Sequence, residues 1–138
     1  MKKVLLFGTF DFLHIGHIHI LETAKKHGDR LVVSVARDCV VEAIKGKKSI
    51  HNEQERKRIV ESLSLVDEVV LGDERMSTYE VVERVQPDVI VLGYDQEELK
   101  QDIERFLKHT GKQIDLLVAD AYGKDKRKSS MIKKALHI

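Results

Sequence analysis

The sequence alternates short apolar runs with longer segments of helical periodicity, and no other feature constrains its fold as strongly. Residues 3–7 are apolar at nearly every position, as expected of a strand that a sheet buries on both faces. Similar runs follow at residues 31–36, 68–71, 89–92 and 114–118. Helical periodicity is found at residues 16–27, 52–65, 78–85, 96–109 and 129–136. This alternation predicts a parallel sheet with right-handed crossovers.

We therefore expect an α/β fold, a Rossmann-like three-layer sandwich with a five-stranded parallel sheet and helices on both faces. Hydrophobic residues make up 42% of the chain and charged residues 34%, with a single proline, which suits a well-ordered globular protein. Asn52, with Glu55 three positions later, is a predicted helix N-cap. Because no linker or repeat interrupts the pattern, we expect one domain over residues 1–138.

The charge balance argues against a nucleic-acid or membrane-surface partner. The chain has 24 Lys and Arg and 23 Asp and Glu, which gives a net charge of +1. The overall electrostatic field is therefore too weak to attract anions, and any anion site must be local. No apolar run approaches the roughly 20 residues of a membrane helix. The single cysteine, Cys39, cannot form an internal disulfide, which favours the cytoplasm, and its apolar-periodic neighbours predict that it packs inside the protein.

Chemistry in such a fold is expected just beyond the carboxyl ends of the strands. Directly after the first strand comes the segment Gly-Thr-Phe-Asp-Phe-Leu-His-Ile-Gly-His, which places His14 and His17 at the entry to the first helix. A helix N-terminus favours phosphate, and imidazoles there add donors for oxygens that gain charge during transfer. Two alternatives remain open: His14 caps the helix while His17 packs, or the pair binds zinc, for which no third ligand cluster is evident.

The segment is neither a Walker loop nor a dinucleotide fingerprint. It resembles the His-x-Gly-His signature of the cytidylyltransferase-like nucleotidyltransferase superfamily. The resemblance implies that His14 and His17 contact a nucleoside triphosphate and stabilise the transition state of nucleotidyl transfer. It also implies that Gly8, Thr9 and Phe10 border the nucleotide.

Further segments match the same family over nearly the whole chain. The loop Lys-Gly-Lys-Lys after the second strand and its short helix supplies a lysine for the triphosphate; Lys47 is the first choice and Lys45 is possible. Arg56 aligns with the family's arginine in the helix after this loop, where a guanidinium can hold two phosphate oxygens. The alternatives are solvated loop lysines and an exposed Arg56 that pairs with Asn52 or Glu53.

Two more sites follow the later strands. Gly93 and Asp95 follow the fourth strand, and the resemblance implies that they contact the nucleotide; Asp95 could equally cap the next helix. Arg127, Ser129 and Ser130 open the last helix and resemble the family's second signature, a Ser/Thr-rich turn that binds the β- and γ-phosphates. This turn departs from the Ile-Ser-Thr-Thr form of the glycerol-phosphate and phosphocholine enzymes, a departure that bears on the substrate.

Three features together resemble the archaeal-type FAD synthases, which join FMN to ATP and release pyrophosphate. They are the segment Val-Ala-Arg-Asp at 35–38, the segment Leu-Gly-Tyr-Asp-Gln at 92–96, and the Ser-Ser pair at the last helix. The resemblance implies ATP and FMN as substrates and a homodimer. General phosphoryl-transfer chemistry adds an expected divalent cation, Mg²⁺, with Asp11 as its candidate protein contact. Asp11 could instead stabilise a turn. Phe10, Phe12, Tyr94 and Tyr122 are the candidate rings for an isoalloxazine. The alternatives are a CTP-dependent cytidylyltransferase acting on glycerol 3-phosphate or another phosphorylated alcohol or sugar, and a nucleotide sensor without turnover.

Overall fold

The computed structural model describes residues 1–120. The predicted helix at 129–136 and four of the candidate site residues lie outside the described residues: Tyr122, Arg127, Ser129 and Ser130.

Within residues 1–120, five strands form one sheet in which every neighbouring pair is parallel. They are β1 (Lys3–Gly8), β2 (Arg30–Val35), β3 (Glu68–Leu71), β4 (Val89–Gly93) and β5 (Asp115–Ala119), in the order β3-β2-β1-β4-β5. The predicted strand at Glu68–Leu71 has the observed bounds, and the other four differ by at most one residue at each end. The predicted parallel sheet is confirmed.

In the described part of the chain five helices connect the strands: α1 (Ile15–Lys25), α2 (Asp38–Lys45), α3 (Glu53–Glu61), α4 (Glu80–Val85) and α5 (Glu97–Thr110). Asn52 caps α3 as predicted, since its side chain accepts the N–H of Glu55 while the Glu55 side chain accepts the N–H of Asn52. The prediction that α4 begins at residue 78 is wrong by two positions. The residues before Glu80 do not continue a helix: Ser77 and Tyr79 have φ angles of 66° and 51°, in the left-handed region.

The core divides into two clusters, one on each face of the sheet. Val4 and Leu6 of β1 pack with Leu21 of α1, whereas Leu5 packs with Ile103 of α5. Val60 of α3 joins the first cluster, and the buried valines of α4 join the second. Successive side chains of a strand point to opposite faces, so this division places helices on both sides and confirms the three-layer sandwich.

Two features concern surfaces. Within residues 1–120 no helix has the length and apolarity needed to cross a membrane.

The prediction that Cys39 packs inside the protein is wrong, because Cys39 is exposed. The reason is that α2 is a short helix that buries only Val41, and the Cys39 Sγ lies 3.7 Å from the carbonyl oxygen of Glu74.

Candidate active site

The strand order places a topological switch point between the carboxyl ends of β1 and β4, where a ligand crevice is expected. The chain moves outward from β1 to β2 and β3 and then returns to the other side of β1 to form β4, and ligands of open α/β sheets bind at such a switch point. Gln96 joins the two strand ends: its Oε1 accepts the N–H of Gly93 at 2.7 Å, and its Nε2 lies 3.5 Å from the carbonyl oxygen of Phe7. The His14 loop and the Gly93 turn therefore meet at one place.

His14 and His17 form a reciprocal cap at the start of α1. The N–H of Gly16 donates to Nδ1 of His14 at 3.0 Å, and the N–H of His14 donates to Nδ1 of His17 at 3.1 Å. The ring centroids lie 4.2 Å apart. The capping alternative thus describes a real contact of His14. It is compatible with a role at a phosphate, since each cap uses only one ring nitrogen.

These contacts assign the tautomer of the neutral rings. Because Nδ1 of each histidine accepts an N–H bond, the proton of a neutral ring resides on Nε2. Burial lowers the pKa of His14 below its ordinary value, so the neutral form of this ring is favoured. In its neutral form each ring can therefore donate only through Nε2–H, and the pair lies at the positive end of a helix dipole, a position that favours phosphate oxygens.

The loop between β1 and α1 has an unusual backbone. Phe10 and Phe12 both have φ of 55°, a region that non-glycine residues rarely adopt and that is found preferentially at functional sites. Phe10 is 3% exposed, and its ring centroid lies 5.5 Å from that of His17. A Cβ on Gly8 would lie 2.4 Å from Cε2 of Phe10, so only glycine allows this placement. Phe10 therefore supports His17 from the core and offers no exposed face to an isoalloxazine.

The predicted triphosphate lysines lie at the end of α2 and just after it. Gly46 ends the helix with φ of 72°, and both Lys45 and Lys47 are exposed. The segment after Lys47 is held by Ser49, whose hydroxyl donates to the carbonyl of His51 at 2.6 Å. An anchored segment with an exposed ammonium group is suited to reach a bound polyphosphate, and the role of Lys47 stays a prediction.

Arg56 lies in an environment that its charged sequence neighbours did not predict. The side chain is fully buried, and its three nitrogens donate to the Thr9 carbonyl (2.8 Å), the His51 carbonyl (3.0 Å) and Oδ1 of Asp38 (2.7 Å). The alternative of an exposed charge paired with Asn52 or Glu53 is therefore wrong. Its partners are main-chain groups of two loops and one carboxylate.

Asp11 is 2% exposed, and its carboxylate accepts hydrogen bonds from the main chain. Its two carboxylate oxygens accept the N–H groups of Ile50 (2.7 Å) and His51 (3.0 Å). These partners are 39 and 40 positions away, so the bonds join two segments of the chain and are not the contact within one turn that was the alternative to a metal contact. Across residues 1–120 there is no group of three or more His, Cys, Asp or Glu that could hold a metal ion.

At the end of β4 the alternative that Asp95 caps the next helix is wrong. Gln96, rather than Asp95, is the N-cap residue of α5, and Asp95 is exposed beside Gly93. A Cβ on Gly93 would lie 3.1 Å from Oδ1 of Asp95, so the glycine allows a tight turn here. Sequence reasoning did not single out Gln96, although it lies three positions after the last residue of β4, at the start of a predicted helix.

The sequence analysis also did not predict a polar network that Arg37, Asp38 and Glu53 form at the starts of α2 and α3. The N–H of Asp38 donates to Oε1 of Glu53 (2.9 Å), and the N–H of Glu53 donates to Oδ2 of Asp38 (3.1 Å), so the first residues of α2 and α3 cap one another. Burial alone would raise the pKa of Asp38, but hydrogen bonds from Arg56 and the Glu53 N–H lower it overall. Arg37 adds a bond from Nε to the carbonyl of Gly72 at 2.8 Å. The position of Arg37 and Asp38 directly after β2 was the available signal.

Known proteins resemble this chain over most of its length. The family model described as cytidylyltransferase-like matches residues 5–135. An FAD synthase of Thermococcus sibiricus is 40% identical over 134 residues, covering 94% of this chain and 88% of that protein. An FAD synthase of Aciduliprofundum boonei is 46% identical over 123 residues, covering 89% and 81%. The crystal structure of the lipopolysaccharide core biosynthesis protein from Thermoplasma volcanium superposes with a TM-score of 0.81 at 37% identity, covering 89% of this chain and 99% of that one.

Proposed function

This chain belongs to the cytidylyltransferase-like family, and on that premise we propose that it is an FAD synthase, which transfers AMP from ATP to FMN and releases pyrophosphate. The observation that carries the proposal is the similarity to FAD synthases over almost the whole chain. The His14–His17 pair at the switch point gives that similarity a chemical basis.

The reaction requires alignment and charge stabilisation rather than a protein nucleophile. A phosphate oxygen of FMN forms a bond to the α-phosphorus of ATP, and the bond from that phosphorus to the bridging oxygen of the β-phosphate breaks. Pyrophosphate leaves with the bonding electron pair. Because the FMN phosphate is ionised at neutral pH, no residue needs to remove a proton from it, and catalysis rests on positioning and electrostatics.

We assign the charge stabilisation to His14 and His17. Their Nε2–H groups donate to triphosphate oxygens that gain negative charge as the bond to pyrophosphate breaks. The N-terminus of α1 contributes its positive dipole end to the same oxygens, and no acidic residue in its first turn opposes this.

The remaining contacts follow the predicted layout. Gly8 and Thr9 on one side, with Gly93 and Asp95 on the other, border the nucleotide across the crevice. Lys47 binds the triphosphate from the loop after α2. Arg127, Ser129 and Ser130 bind the β- and γ-phosphates. Phe12 and Tyr94, both partly exposed, are the described rings that remain for the isoalloxazine, with Tyr122 as a third candidate.

The described residues do not fit a protein-built magnesium site. The carboxylate of Asp11 is occupied by two main-chain N–H groups, and residues 1–120 hold no cluster of metal ligands. Mg²⁺ binds readily to phosphate oxygens with few protein ligands. The proposal is that it enters as the MgATP substrate, and no step assigned to this chain's residues depends on it.

The FAD synthase relatives do not favour the two alternatives, cytidylyl transfer to glycerol 3-phosphate or another phosphorylated acceptor, and sensing without turnover. A pure sensor would also not need donors placed for transition-state oxygens. Two finer points complete the proposal: a homodimer, supported by the family resemblance, and a cytoplasmic location, supported by the single cysteine.

Pyrophosphate release with Mg²⁺ tests the proposed function, with ATP and CTP crossed against FMN and glycerol 3-phosphate. Reaction confined to ATP with FMN supports it. Reaction confined to CTP with glycerol 3-phosphate overturns the substrate assignment and leaves nucleotidyl transfer intact. Silence in every combination overturns the assigned reaction. Sedimentation velocity measures the oligomeric state separately.

A further inference from the structure

Arg56 connects three separate segments of the protein. From α3 its guanidinium reaches the Thr9 carbonyl in the loop after β1, the His51 carbonyl in the segment before α3, and the Asp38 carboxylate at the start of α2. The side chain is fully buried, so its charge is compensated by these groups instead of solvent. A buried, fully engaged guanidinium defines the distance between the segments that it joins.

Asp11 ties the same two loops a second time. Its carboxylate accepts the N–H groups of Ile50 and His51 at 2.7 and 3.0 Å, so the loop after β1 is bound to the segment before α3 through both Asp11 and Arg56. The two ties converge on His51, whose N–H donates to Asp11 and whose carbonyl accepts from Arg56. The loops therefore cannot shift past one another without breaking buried hydrogen bonds.

Both loops lead to residues of the proposed site. Thr9 and Asp11 flank Phe10, whose ring packs against His17. On the other side, the held segment continues from Lys47 through Ser49 to His51. A displacement at either tie would change the distance between the histidine pair and Lys47.

We infer that Arg56 is a positioning residue that holds the His14–His17 loop at a defined distance from the Lys47 loop, and that it does not itself bind phosphate. The inference rests on the proposed function for its catalytic consequence, and it replaces the direct phosphate contact that the family resemblance implied. Lysine at this position offers one nitrogen where arginine offers three separate bonding directions, so it cannot hold both loops and Asp38 together.

The test uses Arg56→Lys in the full chain, with Arg58→Lys as the matched control because Arg58 is exposed on the same helix. In ligand-free protein, Arg56→Lys is expected to shift the imidazole resonances of His14 and His17 and the amide resonance of Ile50. In turnover, kcat for FAD formation falls about tenfold to a hundredfold through misplacement, while KM for ATP changes less than about threefold. Arg58→Lys changes neither measurement.

Two results would overturn the inference: ligand-free spectra of Arg56→Lys identical to wild type at these resonances, or a rise in KM for ATP with kcat preserved, which identifies a ground-state phosphate ligand. Should Arg56→Lys fail to fold, Asp38→Asn replaces it, since this change weakens one contact and retains the guanidinium. Unshifted His14, His17 and Ile50 resonances in that variant overturn the inference equally. A wild-type protein that makes no FAD refutes the proposed function, while the ligand-free spectra still decide whether Arg56 holds the two loops.

Discussion

The main-chain N–H of His14 donates to Nδ1 of His17 at 3.1 Å, and the two imidazole centroids lie 4.2 Å apart. One histidine thus orients the other, while Nδ1 of His14 caps the same helix through Gly16. The capping contacts leave Nε2 of both rings to carry the proton. The pair is therefore a structural element of α1 and a candidate catalytic element at once, and experiments must separate the two roles.

Replacement of His14 by Asn separates capping from catalysis. Asn is among the best N-cap residues, so the free energy of unfolding should change by less than about 1 kcal/mol. Loss of the imidazole donor should lower kcat for FAD formation by at least about a hundredfold. Thermal unfolding and steady-state rates measure the two effects, with exposed His27→Asn as the control. Near-normal turnover in His14→Asn would contradict the proposed role.

The protonation of His14 can be read directly from side-chain ¹⁵N shifts. We expect an unprotonated Nδ1, a protonated Nε2 and a pKa below the ordinary value, because burial disfavours the charged ring. A depressed pKa means that the unfolded chain binds more protons in this window. The contribution of His14 to stability is therefore full above its unfolded pKa and is lost as the pH falls through the folded value. A pKa above about 6.5, or a proton on Nδ1 of the neutral ring, would contradict this arrangement.

Gly8→Ala tests the packing beneath His17. The added Cβ would meet the Phe10 ring at 2.4 Å and must displace it, so we expect a loss of about 1–3 kcal/mol in unfolding free energy and a fall in kcat. Gly111→Ala is the matched control: its φ of 71° makes alanine cost about 1 kcal/mol, but no atom of the described residues, apart from its chain neighbours, lies within 4 Å of the added Cβ. The control should be destabilised without loss of kcat. Unchanged turnover in Gly8→Ala would show that the Phe10 ring does not position His17.

Asp11→Asn distinguishes a loop contact from a metal contact. Because both oxygens of Asp11 accept main-chain N–H bonds, the amide loses one acceptor, and we expect a loss of about 1–3 kcal/mol in stability. The Mg²⁺ concentration that gives half-maximal rate should stay at the wild-type value. A large rise in that concentration with unchanged stability would assign Asp11 to the metal instead.

The strands and the histidine pair could be predicted because each depends on residues that are close together in the sequence. An apolar run defines a buried strand, and His14 and His17 lie three positions apart. The start of α4 could not be predicted, because it depends on contacts distant in sequence. The side chains of Ser77 and Tyr79 both donate to Asp102 on α5, more than 20 positions away.

Arg56 shows the same limit within the site. Charged neighbours surround it in sequence and suggested an exposed position, whereas its partners Thr9 and Asp38 are 47 and 18 positions away. The family resemblance predicted that Arg56 is functionally important. Its burial and its hydrogen-bond partners could be learned only from the structure. Local pattern thus located the candidate chemistry, and tertiary contacts determined how it is held.

Formation of FAD is the most direct test of the account. Purified protein is incubated with MgATP and FMN, and FAD and pyrophosphate are quantified together by chromatography with mass detection, with His17→Asn measured beside the wild type. The account predicts FAD and pyrophosphate in equal amounts from the wild type, and a rate at least about a hundredfold lower from the variant. Absence of FAD from the wild type, or equal rates in both proteins, would contradict it.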